Sequence, residues 1–221
     1  MGVAGNLHLV EERIARACQR AGRSPDEVTL VAVTKTVPAA AIEEAFAAGI
    51  RNFGENRVQE ARAKVAELEM LRQELTWHMV GHLQTNKAKT ATEIFDIIHS
   101  VDSLRLAEML NKRAQWKLPV LLQVNAAAEE TKGGFVADEV GRALAEISRL
   151  PHLDVVGLMT MAPFVADPEE VRWVFRRLRE LGDSLGLEHL SMGMSDDFEV
   201  AIEEGATLVR IGRAIFGERP V

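Results

Sequence analysis

The hydrophobic positions of this chain follow two alternating spacings. Short apolar runs rich in β-branched residues recur eight times, and segments with apolar residues three and four positions apart lie between them. The first 3.6-residue stripe, Leu7, Val10, Ile14 and Ala17, predicts a helix over about 3–21. The eight runs predict strands at 29–33, 50–53, 77–80, 97–101, 120–124, 155–159, 189–192 and 208–211.

Strands that alternate with helices indicate an α/β protein with a parallel sheet, because parallel strands need crossover connections. An open doubly wound sheet and a closed (β/α)8 barrel, the TIM barrel, both fit this order. The count of eight strands, with a helix after nearly every one, favours the barrel. No linker rich in Gly, Ser or Pro divides the sequence. We therefore predict a single domain over residues 1–221, with the first helix as an extension before the barrel.

Polar residues cluster where the predicted strands end, which is where (β/α)8 barrels place their chemistry. Lys35 follows the first strand directly after an apolar run. A lysine amine that emerges from an apolar barrel interior is suited to attack an aldehyde and form a Schiff base. The alternative is a lysine at a strand end that only reaches solvent.

Two segments near the end of the chain form a candidate phosphate site. Ser191 opens the run Ser-Met-Gly-Met-Ser after strand 7, and Gly212 and Arg213 follow strand 8. Hydroxyls and glycine-exposed amides in these two loops suit a phosphate group. For Ser195 and Asp196 the alternative is a cap on the next helix. Arg213 either adds charge to the pocket or is a surface arginine.

Four further residues have two readings each. Arg210 lies within an apolar strand, so it either faces a carboxylate or ligand or points outward against a helix. Asn56 either bonds a ligand or caps the third helix. His78 and His82 are four residues apart, but the helical His-Glu-x-x-His context of a zinc site is missing, which disfavours a metal site.

Net charge and residue counts exclude several classes of protein and of mechanism. The net charge is −7, which argues against nucleic-acid binding. The single cysteine, Cys18, indicates a structural residue and a reducing, cytoplasmic compartment. Charged residues at 11–13 argue against a signal peptide, and the longest apolar run, 155–165, is too short for a membrane span. The chain has no tyrosine, which excludes any tyrosine base.

The sequence resembles the pyridoxal phosphate homeostasis (YggS/PROSC) family, whose barrel is similar to the barrel domain of bacterial alanine racemase. Matching motifs follow in the same order along nearly the whole chain. They include VAVTK at 31–35, FGEN at 53–56, WHMVGHLQ at 77–84, LSMGMSDDF at 190–198 and VRIG at 209–212.

The resemblance implies pyridoxal 5′-phosphate (PLP) as cofactor, held on Lys35 as an internal aldimine. It implies that Ser191, Gly212 and the backbone at Arg213 hold the phosphate, that Arg210 lies against the pyridine nitrogen, and that Asn56 lies near the ring. Where this chain has Arg213, the family usually has a small hydroxyl residue, so one hydroxyl contact is lost. The cluster His82, Gln84, Asn86 and Lys87 also matches the family and has no clear role in the cofactor site; it either shapes the rim, caps the next helix, or forms a secondary PLP or partner site.

The resemblance and the chemistry together favour a PLP carrier that buffers the cofactor and delivers it to apo-enzymes. A cation beside the ring nitrogen disfavours its protonation and weakens the ring as an electron sink. The second base of alanine racemase is a tyrosine supplied by another domain and the partner subunit, and this chain has neither that domain nor a tyrosine. A monomer is therefore expected. A PLP-dependent racemase-like enzyme and a cofactor-free Schiff-base aldolase remain the alternatives.

Overall fold

The architecture is a closed barrel of eight parallel strands in sequence order. It is seen in a computed structural model that describes residues 2–129 and 132–217. The strands are β1 (Thr29–Val33), β2 (Asn52–Glu55), β3 (Thr76–Met79), β4 (Ile97–Val101), β5 (Leu118–Gln123), β6 (Leu153–Met159), β7 (His189–Ser191) and β8 (Leu208–Ile211). The first strand pairs with the last, with Val31 opposite Arg210, and this pairing closes the barrel.

Helices surround the barrel. Those within the described residues are α1 (Val3–Ala21), α2 (Ala39–Ala47), α3 (Val58–Glu67), α4 (Ala88–Ile94), α5 (Leu104–Arg113), α6 (Val140–Ile147), α7 (Arg172–Leu185), α8 (Phe198–Glu203) and α9 (Arg213–Phe216). The predicted barrel and the predicted first helix are both confirmed. Strand ends differ from the predicted ones by no more than two residues.

Alternation along each strand divides the apolar side chains between two layers. In β8, Val209 and Ile211 join the large cluster between strands and helices. Leu208 instead belongs to a smaller cluster with Val31, Val80, Leu121 and Met159. Successive strand residues point to opposite faces, so this smaller cluster fills the inside of the barrel.

Helix α1 packs against α2, α8 and α9 on the outside of the barrel. Its buried stripe is Leu7, Val10, Ile14, Ala17 and Cys18, and it ends at Gly22, whose φ of 66° suits glycine. Cys18 is buried, and burial raises the pKa of its thiol, so the structural reading of this residue fits its environment. None of the described helices is long and apolar enough to cross a membrane.

Candidate functional site

The Lys35 side chain and Asn56 line one cavity of about 370 Å³ at the C-terminal end of the barrel. Lys35 follows β1 by two residues and Asn56 follows β2 by one, and the two strands are paired, with Val33 opposite Gly54. Lys35 is half-buried. The prediction that strand-end residues come together is thus confirmed for this pair.

The wall of this cavity is basic although the protein is acidic overall. Its side chains include Lys35, Arg57 and Lys87 and no carboxylate. A basic pocket in a chain of net charge −7 suits an anionic ligand. The cavity therefore combines an amine that can react with a carbonyl and cations that can hold an anion.

Asn56 presents a buried polar atom without a protein partner. Its Oδ1 is shielded from solvent and accepts no hydrogen bond within the described residues. Buried polar atoms are normally paired, so an unpaired amide oxygen at a cavity wall fits a ligand contact. The alternative of a helix cap is wrong, because α3 begins at Val58 after Arg57 and no side chain caps it.

Gly81 keeps the Asn56 loop in place by the absence of a side chain. A Cβ atom at this position would lie 2.4 Å from the backbone oxygen of Asn56. No real Cβ makes so close a contact with backbone, so the β3 loop can approach the β2 loop only with glycine here. This approach closes one side of the cavity.

A buried charged cluster supports the Lys35 loop from behind. The Lys64 ammonium of α3 donates to the Thr34 backbone oxygen at 2.5 Å and to Glu55 and Glu60 at 2.6 and 2.9 Å. The Thr34 hydroxyl also donates to Glu55, at 2.5 Å. Lys35 therefore follows a residue that is fixed through both its side chain and its backbone.

Thr36 fixes the other side of Lys35. It has a φ of 64°, a left-handed conformation that is uncommon for a residue with a Cβ. Its N–H donates to the Glu60 carboxylate at 2.5 Å. Although burial acts to raise the pKa of Glu60, hydrogen bonds from Lys64 and Thr36 hold it below its ordinary value. Glu60 is therefore ionised at neutral pH and stabilises the strained turn.

Ser191 and Arg210 meet inside the barrel rather than in the Lys35 cavity. Arg210 donates to Ser191 Oγ at 2.5 Å and to the Thr160 backbone oxygen at 2.8 Å. Burial lowers the pKa of Arg210 to about 10, so it remains a cation at neutral pH. The inward orientation expected for Arg210 is found, with protein oxygens as its partners. Ser191 is fully buried, and its assignment to the phosphate stays a prediction.

Gly212 and Arg213 form the turn between β8 and α9. A Cβ at Gly212 would lie 3.0 Å from the Val33 backbone oxygen, so glycine allows this turn to lie close to the end of β1. The Arg213 side chain is half exposed and pairs with Asp196. The assignment of both residues to the phosphate stays a prediction.

The serine that reaches this turn is Ser195, whose Oγ accepts a hydrogen bond from the Ala214 N–H at 3.3 Å. The alternative that Ser195 or Asp196 caps the next helix is wrong, because α8 begins at Phe198 with Asp197 at its N-cap. Asp197 Oδ1 accepts from the Met194 N–H and so holds the loop closed. Ser195 was not among the predicted site residues because a helix cap explained it equally well, and the sequence holds no signal for its hydrogen bond to Ala214.

The two histidines considered as metal ligands, His78 and His82, lie in different environments. His78 is buried inside the barrel, whereas His82 is largely exposed and lies 3.2 Å from Asp102. Within residues 2–129 and 132–217 no group of three metal-ligating side chains is found.

His82, Gln84 and Lys87 line the Lys35 cavity, a role that the sequence alone did not assign. Asn86 lines a neighbouring cavity of about 410 Å³, to which His82 and Gln84 also belong. The loop after β3 therefore forms a shared wall between the two cavities.

Fold and site together define a barrel of the alanine racemase type with a lysine at the end of its first strand. The family model described as alanine racemase, N-terminal domain, matches residues 6–220. An alanine racemase structure from Clostridium difficile has a TM-score of 0.74 at 17% identity, with 100% of this chain and 57% of that chain covered. At that identity the likeness concerns the fold alone.

The chain belongs to the pyridoxal phosphate homeostasis protein family. It is 46% identical over 228 residues to the pyridoxal phosphate homeostasis protein of Aquifex aeolicus, with 99% of each chain covered. It is also similar to the structure of PipY from Synechococcus elongatus with PLP bound. That structure has a TM-score of 0.80 and 43% identity, with 94% of this chain and all of that chain covered.

Proposed function

We propose that this protein binds PLP in the Lys35 cavity and serves PLP homeostasis, holding the cofactor and releasing it to apo-enzymes. The single observation that carries the proposal is the cavity itself, in which an amine, an unpaired amide and basic side chains surround one space. The Aquifex aeolicus relative, which is named for PLP homeostasis, and the PipY structure with PLP bound support the same ligand.

PLP supplies an aldehyde, and a lysine amine condenses with it to form a carbon–nitrogen double bond with loss of one water. In this proposal Lys35 is that lysine. Asn56 would hold the ring from the cavity wall, and Arg210, which lies inside the barrel beneath the cavity, would be the cation nearest the ring nitrogen. Gly212, the Arg213 backbone and the serine of the preceding loop hold the phosphate. For that serine, Ser195 is better placed than Ser191, because it already contacts the β8–α9 turn.

A carrier fits these residues better than a racemase. Racemisation needs proton transfer on both faces of the substrate, and the usual second base of such barrels, a tyrosine, does not occur in this sequence. Arg210 is a buried cation at neutral pH, so a ring nitrogen beside it stays unprotonated. Both features limit carbanion chemistry and leave reversible binding as the main property.

The proposal includes a monomer in the cytoplasm whose partners are PLP-dependent apo-enzymes. The single cysteine is buried and suits a reducing compartment. Sedimentation of the purified protein at micromolar concentration, with and without PLP, tests the monomer. A stable dimer would contradict it.

The decisive experiment uses the visible spectrum and borohydride. Wild-type protein mixed with PLP and freed of excess ligand is expected to be yellow, and borohydride is expected to fix the ligand on the peptide that contains Lys35. Lys35→Ala and Lys35→Arg are expected to carry no ligand after the same treatment. Lys112→Ala, which changes an exposed lysine on α5, serves as the matched control and is expected to behave as wild type.

The alternatives give different results in the same experiment. A protein that stays colourless with PLP but is trapped on Lys35 with a sugar phosphate would be an aldolase. A protein that binds PLP and turns over an amino acid at enzymatic rates, with the cofactor retained, would be a racemase-like enzyme. Either result would overturn the carrier proposal.

A further inference from the structure

The inside of the barrel contains a continuous hydrogen-bonded chain of polar side chains. Asn52 Oδ1 lies 3.0 Å from His78 Nε2, and His78 Nδ1 lies 2.9 Å from His99 Nε2. His99 Nδ1 lies 2.8 Å from Ser191 Oγ, which accepts from Arg210. The chain thus crosses the barrel from the beginning of β2 to β8 through β3, β4 and β7.

Burial of this hydrogen-bonded series determines the protonation state of its two histidines. His78 is 3% exposed, and His99 and Ser191 are fully buried. Burial lowers the pKa of His78 to about 3 and that of His99 well below its ordinary value. Both imidazoles are therefore neutral at physiological pH, and each carries one N–H donor and one acceptor nitrogen.

The Asn52 end sets the direction of every hydrogen bond in this series, and the Arg210 end is compatible with it. A guanidinium can only donate, and an amide oxygen can only accept. Because Asn52 Oδ1 accepts, His78 carries its proton on Nε2 and accepts at Nδ1. His99 then also carries its proton on Nε2 and accepts at Nδ1 from the Ser191 hydroxyl. The oxygen of Ser191 finally accepts from Arg210, which agrees with the other end.

We propose that the side chains of Arg210, Ser191, His99, His78 and Asn52 form a positioning relay that fixes the Arg210 guanidinium for the bound ligand. The relay commits the only proton of Ser191 to His99, so Ser191 presents an acceptor to Arg210. Together with the Thr160 backbone oxygen, which Arg210 also contacts, it sets the plane of the guanidinium. His78, His99 and Asn52 are thereby positioning residues that do not line the Lys35 cavity.

The relay has a further consequence for the phosphate. A phosphate oxygen needs a donor, and Ser191 has already given its proton to His99. The hydroxyl could serve the phosphate only if the relay broke. The relay therefore assigns Ser191 to Arg210. This ligand-related half of the inference depends on the proposed function, whereas the hydrogen-bond direction does not.

Nitrogen-15 NMR of the ligand-free protein tests the direction of the relay. We expect His78 and His99 to be neutral between pH 5 and 9, each as a single tautomer with the proton on Nε2. A proton on Nδ1 of either ring, or a charged ring in this range, would overturn the relay. This measurement needs no PLP, so it stands if the proposed function fails.

A pair of variants tests the positioning role through the rate of PLP release. His99→Leu removes both hydrogen bonds and is expected to release PLP about tenfold faster. His99→Gln can accept from Ser191 and donate to His78, and it is expected to stay within about twofold of wild type. A rescue by Gln but not by Leu would not follow from loss of packing alone.

If His99→Leu does not fold, Asn52→Leu replaces it, because it removes the last acceptor far from Arg210 and should also release PLP faster. A folded His99→Leu or Asn52→Leu that releases PLP at the wild-type rate would overturn the positioning role. A wild type that binds no PLP would overturn the proposed function and the ligand-related half of this inference, and the tautomers would still decide the rest.

Discussion

Replacement of Lys64 by methionine should destabilise the protein more than the same replacement of an exposed lysine. Lys64 is 7% exposed and bonds two carboxylates and the Thr34 backbone oxygen. Methionine keeps most of the volume but leaves Glu55, which is fully buried, with Thr34 as its remaining partner. Removal of one member of a buried ion pair typically costs about 3–5 kcal/mol, because the other charge stays buried without compensation.

The pH dependence of this loss follows from Glu55. Burial raises the pKa of Glu55 against the hydrogen bonds from Lys64 and Thr34, so loss of Lys64 raises the pKa further. Above the unfolded-state pKa of about 4.3, the folded variant then holds a proton that the unfolded chain has lost. The free energy of unfolding of Lys64→Met therefore falls, relative to wild type, as the pH rises.

Urea unfolding at pH 5.5 and pH 8 measures both effects. We expect a deficit of about 3–5 kcal/mol at pH 8, equivalent to a fall in Tm of roughly 10 °C for a chain of this size, and a smaller deficit at pH 5.5. The double variant Glu55→Gln/Lys64→Met should lose the pH dependence, and Lys112→Met should change stability by less than about 0.5 kcal/mol. A deficit below about 1 kcal/mol at pH 8, or an equal deficit at both pH values, would refute the reasoning.

Two further variants test other parts of the structure by the same method. Gly81→Ala places a Cβ 2.4 Å from the Asn56 backbone oxygen and should cost about 1–3 kcal/mol and speed PLP loss, whereas Gly141→Ala in α6, with 3.7 Å to its nearest neighbour, should stabilise by about 0.5–1 kcal/mol. Equal effects would contradict the close approach of the two loops. Because His78 and His99 stay neutral when folded, stability should fall as the pH drops below about 6.5, and His99→Gln should reduce that slope by about 1.4 kcal/mol per pH unit between pH 6 and 4.5. An unchanged slope would show that His99 takes up a proton in the folded state.

The order of strands and helices is predictable from the sequence because hydrophobic spacing is a local property. Lys35 and Asn56 could be placed together for a related reason, since the ends of adjacent parallel strands meet at one end of a barrel. The turn after β7 was less predictable. Its two serines follow the same strand, and only the hydrogen bond to Ala214 separates the one at the β8 turn from the one inside the barrel.

The contacts between buried polar groups could not be predicted from the sequence. Lys64 lies on the buried face of α3 with Val58 and Ala61, but a lysine on a helix is normally taken as exposed until a buried carboxylate such as Glu55 is known to face it. His78 and His99 each occur within an apolar strand, which is a signal that they face inward. Their pairing depends on the stagger between β3 and β4, which no local pattern contains.

The closing seam between β1 and β8 has a consequence for biosynthesis. Lys35 is made early, whereas Arg210 and the β8–α9 turn are among the last described parts of the chain to leave the ribosome, and α1 reaches across to them through Asn6 and the Ile215 backbone oxygen. A nascent chain that lacks β8 has Lys35 and the pairing of β1 with β2, but the other edge of β1 has no partner strand. Under the proposed function, PLP capture then depends on the pairing of β1 with β8, so a ribosome-bound chain stalled before Leu208 should remain without PLP.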